Sequence, residues 1–388
     1  MKILMVLESD FPPDVRVENE VSALTDAGHE IHIACSTRNN RPAYDHFGKA
    51  LIRRKRMNGF IHKSSVGVLK FPFYFAFWRG FVFSILQQQK FDAVHIHDLP
   101  LCKIGAEAKQ KFGLRLIVDL HENWPALLKH ATHTNSIAGK LLSSNGQWIR
   151  YEKDNVQKAD LIITVIEEAR DRVAELGADR HKIIIVSNTL RIESVPQLRS
   201  GTANKTFTLF YGGGINRHRG LQIVFAAMSI MKKNGKNILL KVVGDGSYLK
   251  ELKKQAAVLN IENNVMFLGY KPFNEMLGIL ADTDAAIIPH LRTENNDASS
   301  PNKLYQYMYL GKAVISSDCL SLARIIEETG AGYIYRNDSP EELAILLGRI
   351  INEKQSLHEK GIKGREAVIS RYNWKTDSTR LVSAYNRL

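Results

Sequence analysis

Residues 2–34, KILMVLESDFPPDVRVENEVSALTDAGHEIHIA, decide the fold. Lys2 to Leu7 is an apolar run of strand length, the mark of a strand buried on both faces. It ends in ESDFPPDVR, and a helix follows from about Val15 to Ala27. Gly28-His29 then turns the chain into a second strand, Glu30–Ala34. Strand, helix and strand in this order make a βαβ unit, the opening of an α/β fold with a doubly wound sheet. No G-x-G-x-x-G follows the first strand, which argues against a nicotinamide dehydrogenase.

The same alternation continues outward from this unit. Ala93–Ile96 ends at His97-Asp98-Leu99-Pro100, and Leu114–Asp119 ends at Leu120-His121-Glu122-Asn123. Both ends belong at the carboxyl edge of the sheet, where α/β folds place their sites. A helix around Gln147–Lys158 precedes the strand Leu161–Val165, and Ile183–Val186 closes this first set. Glu193–Lys205 is polar and Ser/Gly-rich and reads as a linker. The pattern restarts with the strand Phe207–Tyr211 and a glycine-rich turn, GGGINRHRG, at 212–220. Leu239–Val243 then runs into Gly244-Asp245-Gly246, and Val265–Leu268 into Gly269-Tyr270. Ala285–Pro289 leads through a polar loop to SSPNKLYQYMYLGKAVIS, residues 299–316. There Ser299 and Ser300 read as caps before Pro301 and Asn302, and Lys303 opens a helix. Leu304, Tyr307 and Met308 give that helix one buried face, Gly311 stops it, and Ala313–Ser316 is the next strand. A last helix lies within Tyr372–Leu388.

The chain has 388 residues, enough for two cores. Its net charge, 53 − 40 = +13, favours phosphorylated or otherwise anionic partners. Nucleic acid is not expected, because no recognition module is present. Cys35, Cys102 and Cys319 are far apart and form no zinc or disulfide spacing, which fits a reducing cytoplasm. The first residues carry too short an apolar run for a signal peptide. No run of about 18 uncharged apolar residues occurs anywhere.

Three groups of residues offer chemistry. Arg217 and Arg219 follow the glycines 212–214; with Lys303 and the amides of 299–302 they suit a diphosphate. Solvated surface arginines are the plain alternative. His95, His97, Asp98, Asp119, His121 and Glu122 form the second group. Here His121 and Asp98 read as general base, substrate-orienting or acceptor-binding groups, and His95 as a satisfied core histidine. Zinc finds no support in the spacing. The third group is Asp14, Arg16, Glu18 and Glu20 after the first strand; there Arg16 binds an acceptor or a donor phosphate, or else makes a helix-end salt bridge. Beside these, the basic run Arg53–Arg56 and the aromatic stretch Phe71–Leu86 read as a membrane-surface anchor at 53–86. A helix packed wholly in the interior is the other reading.

Taken in order, FPPDVRVENEV, HDLP, DLHEN, KADLIITV, VSNT, FYGGGINRHRG, VVGDGSY, VMFLGY and SPNKLYQYMYLGKAVI resemble the family 4 glycosyltransferases of the GT-B type. The resemblance covers nearly the whole chain. It implies two Rossmann-like doubly wound domains facing across a cleft. The first, 1–190, would bind the acceptor and be joined by the helix within 372–388. The second, 191–371, would bind a nucleotide-sugar. Sugar transfer would proceed with retention at the anomeric carbon, without a metal or other cofactor, from a UDP- or GDP-sugar. By this resemblance His121, Arg219 and Lys303 carry the catalysis. Gly213, Gly214, Arg217, Gly244, Gly269, Tyr270, Ser300, Asn302 and Gln306 bind the donor. Arg16, His97, Asp98 and Glu122 face the acceptor.

The sequence departs from the family at two points. Gln306 stands where the family's ribose-binding Glu is usual, and Ala298 where the first Glu of that pair would be. An amide binds ribose hydroxyls without a charge, and Glu294 or Asp297 is placed to supply a carboxylate. Gly213 replaces a usual arginine, for which Arg217 would substitute. The expected function is therefore a cytoplasmic glycosyltransferase, peripheral at the inner face of the membrane. It would act on a glycan or lipid-linked acceptor in surface-polysaccharide synthesis. A nucleotide-sugar epimerase of the same fold and a non-catalytic sugar-nucleotide-binding relative are the rival readings.

Overall fold

The computed structural model describes residues 1–130, 142–196 and 206–388. It divides into two compact units, Met1–Ser187 with Asp377–Leu388, and Asn188–Thr376. Of the linker expected at Glu193–Lys205, residues 197–205 lie outside the described residues.

The first unit is built on an eight-stranded sheet. Its strands are β1 (Lys2–Leu7), β2 (Glu30–Thr37), β3 (Tyr44–Phe47), β4 (Ala50–Arg56), β5 (Ala93–His97), β6 (Arg115–Leu120), β7 (Leu161–Thr164) and β8 (Ile183–Ile185). Their order is β3-β4-β2-β1-β5-β6-β7-β8, parallel except for the antiparallel β3–β4 pair. The order reverses beside β1, between β2 and β5, and that is the edge where such sheets place ligands. β1, β5 and β6 are fully buried along most of their length, so their side chains form continuous apolar runs.

The second unit holds six parallel strands: β9 (Thr208–Gly212), β10 (Leu239–Val243), β11 (Val265–Phe267), β12 (Ala285–Ile288), β13 (Ala313–Ser317) and β14 (Gly332–Tyr335). They run β11-β10-β9-β12-β13-β14. Again the first strand of the set, β9, lies in the interior, with the reversal beside it.

Two local expectations are corrected. The aromatic helix, Phe73–Gln88, buries Tyr74, Phe75, Trp78 and Phe81 in the core of the first unit. The basic run before it is strand β4. Its Arg54 is buried, donating to the Phe11 carbonyl and to Asp45, while Lys55 lies 4.7 Å over the Phe77 ring. Most of this segment therefore serves packing, and of the run's large apolar side chains only Phe71 and Phe73, with Phe60 nearby, stay exposed. The helix after Ser299-Ser300 spans Asn302–Tyr309 with Pro301 in the cap position and no side-chain cap. Ser300 Oγ bonds the Tyr305 hydroxyl at 2.8 Å instead. No described helix is long and apolar enough to cross a membrane.

Candidate functional site

In the second unit the glycines bring three strand ends together. The Gly213 amide donates to the Val243 carbonyl at 2.9 Å, and the Gly244 amide to the Gly269 carbonyl at 2.8 Å. Gly213 and Gly244 hold φ of +132° and +137°, a region that side chains beyond glycine rarely enter. A Cβ on Gly244 would sit 2.0 Å from the Gly213 carbonyl oxygen. Backbone thus meets backbone at the carboxyl ends of β9 and β10.

Two cations converge there. Lys303 Nζ lies 4.3 Å over the ring of Tyr211 and abuts Gly213. Arg219 Nη1 lies 3.1 Å from His290 Nε2. Burial and the neighbouring Arg219 charge hold the Lys303 amine well below its ordinary range. Burial, with Arg219 and Lys303 beside it, likewise keeps His290 neutral. Neither Lys303 nor Arg219 forms a salt bridge with a carboxylate among the described residues. Two neighbouring basic groups without a carboxylate partner among the described residues suit a polyanionic ligand.

Gly214 and Arg217 are exposed beside these groups, as is Asn302 at the helix start. Gln306 is half-buried on the next turn, and its carboxamide makes no hydrogen bond among the described residues. Gly269 turns with φ +67° into Tyr270, which is 80% exposed. Ala298 is buried. Asp297, a possible replacement carboxylate, is engaged with Arg292 at 3.2 Å and with the Leu320 amide at 3.0 Å.

In the first unit the ends of β1, β5 and β6 assemble a charged network. Arg16 clamps Asp119 with two hydrogen bonds, Nε to Oδ2 at 2.9 Å and Nη2 to Oδ1 at 2.7 Å. Its third nitrogen donates to the Val186 carbonyl at 2.9 Å, and Glu20 lies 3.2 Å away. Arg16 is therefore a buried strut; its guanidinium is not presented to an acceptor. His121 Nε2 donates to Asp119 Oδ2 at 2.8 Å, and Nδ1 lies 3.4 Å from Asp98. Asp98 itself takes a φ of 65° to reach it. Burial would lower the His121 pKa, yet Asp98 and Asp119 raise it to about 9. Burial likewise works against the Asp119 carboxylate, but Arg16 and His121 hold it well below its ordinary range. At neutral pH His121 is thus an imidazolium, a donor of hydrogen bonds and no general base.

His97 is buried, its Nδ1 3.3 Å from His121, and it stacks on His95 at 4.2 Å. His95 Nδ1 and the Tyr385 hydroxyl share a hydrogen bond at 2.7 Å, while His95 Nε2 has no hydrogen-bond partner among the described residues and lies 4.0 Å from Glu20. Glu122 is exposed. Glu20, His95, His97 and Asp119 bring one ligand atom each within 4.8 Å of one another. The cationic place beside these carboxylates is taken by Arg16 and His121.

Known proteins match both units. Residues 13–189 fit the model for the glycosyl transferase 4-like domain, and residues 197–367 that for glycosyl transferases group 1. This chain is a GT-B glycosyltransferase. The glycosyltransferase is 19% identical to a putative colanic acid biosynthesis glycosyltransferase of Salmonella typhimurium, the match covering 99% of each chain. Among solved structures it resembles sucrose-phosphate synthase of Thermosynechococcus elongatus, with TM-score 0.80, 14% identity and cover of 100% and 98%. It also resembles HepE of Anabaena in complex with UDP-glucose, with TM-score 0.72, 15% identity and full cover of both chains. At these identities the structures speak for the fold.

The glycosyltransferase also holds a residue at this site that the sequence did not single out: His290, at the end of β12, with a histidine just past a strand end as its only signal. Glu20 stood beside Arg16 in the sequence, but its surroundings come from residues far away in the chain. Burial and the Asp119 charge raise the Glu20 pKa well above the ordinary carboxylate range.

The glycine contact yields a direct prediction. Gly244→Ala puts a methyl into the Gly213 carbonyl at an unfavourable φ. It is expected to cost about 1–3 kcal/mol of stability and to abolish nucleotide-induced thermal stabilisation. A variant that keeps wild-type melting and nucleotide response shows that β9 and β10 need no such close approach.

Proposed function

We propose that this glycosyltransferase moves a hexosyl or N-acetylhexosaminyl group from a UDP- or GDP-sugar, with retention, to a glycan or lipid-linked acceptor. The carrying observation is the Lys303–Arg219 pair, which meets over glycine backbone without a carboxylate partner. A diphosphate leaving group needs this kind of prearranged positive charge. In this reading Asn188–Thr376 holds the donor. Lys303, Arg219 and the amides after Ser300 neutralise the departing diphosphate, and Arg217 reaches it from the exposed turn. Gly269 and Tyr270 border the nucleobase, and the unpartnered Gln306 carboxamide takes the ribose hydroxyls. UDP is favoured over GDP because HepE, a neighbour in fold, is seen with UDP-glucose.

Met1–Ser187 with Asp377–Leu388 holds the acceptor. The His121 imidazolium donates a hydrogen bond to the sugar being transferred, and Asp98 beside it orients an acceptor hydroxyl. The proton of that hydroxyl leaves with the donor phosphate oxygen as the new glycosidic bond forms. Surface-polysaccharide synthesis at the inner face of the membrane fits the net charge of +13 and the colanic acid relative.

A panel of nucleotides tests this. UDP or GDP should raise the melting temperature, and the matching nucleotide-sugar should be slowly hydrolysed without acceptor. No thermal response to any nucleotide sinks the reading. The buried Ala298 and the uncharged Gln306 support one alternative, a relative that binds nucleotide without turnover. It is separated by binding without hydrolysis, and by activity gained in Gln306→Glu.

A further inference from the structure

The first unit contains a cavity of about 1060 Å³ beyond the ends of β1 and β2. Its lining changes character from one side to the other.

One side is aromatic. Trp124 and Trp148 pack with ring centroids 6.0 Å apart, and Tyr74 lies close by in the same lining. Flat apolar rings with polar edges suit the C–H faces of a pyranose. The buried Trp124 Nε1 has no hydrogen-bond partner among the described residues and is a ready donor to a sugar hydroxyl. Glu8, at the end of β1, accepts from the Tyr74 hydroxyl at 2.7 Å and leaves its second oxygen for another. Burial, together with the Asp98 charge, raises its pKa to about 7 despite that bond.

The other side is cationic. Arg38 Nη1 lies 3.4 Å from His62 Nε2, and Lys63 is the next residue. Lys63 makes no ion pair among the described residues. Asp10 does not neutralise them, because Arg41 and Arg54 hold it at 3.2 and 3.3 Å. Glu8 is half-protonated near neutral pH. The cations therefore face an unmet demand for negative charge.

Beyond the cations the surface is apolar and exposed. Phe60 shares the short helix Gly59–Ser64 with His62 and Lys63. Phe71 packs over Gly67, between the lining residues Val66 and Val68. Phe73 joins the two, with centroids 5.4 Å from Phe60 and 6.4 Å from Phe71. These rings are 63%, 46% and 46% exposed for Phe60, Phe71 and Phe73. Three contacting phenylalanines in water mark a contact surface for another apolar body.

We propose that this cavity binds the head of a lipid-linked diphosphate saccharide, the acceptor of the transfer proposed above, on which this inference rests. The sugar lies against Trp124 and Trp148 with Glu8 on a hydroxyl. The diphosphate meets Arg38, His62 and Lys63, and the lipid chain leaves across Phe60, Phe71 and Phe73. Sugar, phosphate and hydrocarbon follow one another in the order of the three surfaces.

Tryptophan fluorescence of the full chain reads this directly, since two tryptophans line the cavity. Farnesyl diphosphate is titrated with UDP at saturation, or into Lys303→Ala if UDP fails to bind, so the second unit does not compete. Farnesyl diphosphate is expected to change the emission saturably, with pyrophosphate and farnesol each at least about tenfold weaker. Arg38→Ala/Lys63→Ala, two exposed positions, should weaken it roughly tenfold, the loss of one or two charged contacts. Phe60→Ser/Phe71→Ser should weaken it several-fold, and neither double variant should change the UDP thermal shift. Pyrophosphate binding as tightly as farnesyl diphosphate assigns the cavity to soluble phosphates and overturns the proposal. So does farnesol binding as tightly, or unchanged affinity in either double variant. A UDP shift measured alongside keeps failure of the donor reading distinct from failure of this one.

Discussion

Lys303→Ala is expected to lower kcat for sugar transfer by roughly 10²–10³-fold, the loss typical of one prearranged charge donor. Its position explains the size. The amine is held over Tyr211 at 4.3 Å, against the Gly213 backbone, so it pays no reorganisation when charge develops on the diphosphate. The free protein keeps this amine well below its ordinary pKa through burial and the nearby Arg219. A bound diphosphate reverses that balance, because an opposite charge favours the ammonium. Nucleotide binding should therefore take up a proton. Calorimetry in buffers of different ionisation enthalpy measures it, and the uptake should vanish in Lys303→Ala. Lys303→Arg should restore part of the rate if charge is what matters. Full activity in the alanine variant, with a normal fold, would show that Lys303 has no role at the leaving group.

Asp119→Ala is expected to cost about 3–5 kcal/mol, the usual consequence of removing one partner from a buried ion pair. Arg16 would be left with its guanidinium in the protein interior and two of its hydrogen bonds gone. Denaturant unfolding measures the loss; an effect below about 1 kcal/mol, the level of an exposed ion pair, would mean that water reaches Arg16. The same change has a pH signature. Burial opposes the charge on His121, but Asp98 and Asp119 lift its pKa from 6.5 to about 9. A raised histidine stabilises the folded state fully below pH 6.5, and that share is lost as pH rises through about 9. Stability of the wild type should thus decline across this window. In Asp119→Ala the decline should flatten, because one of the two carboxylates that raise the His121 pKa, and its hydrogen bond, are gone. Transfer activity that needs the His121 proton should fall over the same range.

The strands of both sheets were readable because parallel strands are buried on both sides and appear as apolar runs; Lys2–Leu7 and Ala285–Ile288 are examples. The glycine turn 212–214 and Lys303 were readable as well, since tight backbone approach and a helix start leave local marks. Partnership across the chain left none. Arg16 read as either a ligand-binding residue or a helix-end salt bridge, and its actual partner Asp119 is 103 positions away. The protonation of His121 depends on two carboxylates brought to it by a loop and a strand end, so its type alone left base, orienting and acceptor-binding roles open. The run Phe71–Leu86 looked too aromatic for packing. In the fold, the helix Phe73–Gln88 lies against the sheet and puts Trp78 wholly inside. Gln306 and Ala298 stood out only by comparison with a family pattern, and their surroundings in the second unit leave the carboxamide unpartnered.

The order of units along the chain has a practical side. Asn188–Thr376 is one continuous piece set into the other unit, whose own residues resume at Asp377. Its two ends lie together: Leu190 and Asn373 form a parallel bridge, and the Trp374 amide donates to the Leu190 carbonyl at 3.0 Å. A segment with adjoining ends behaves as a cassette. It can be cut out and replaced by the equivalent piece of a relative through two neighbouring junctions, leaving the host sheet and its Tyr385–His95 hydrogen bond untouched. With donor and acceptor held as proposed, chimeras of this kind would exchange nucleotide preference as one module while keeping acceptor choice, and recombination between related genes has the same route open to it.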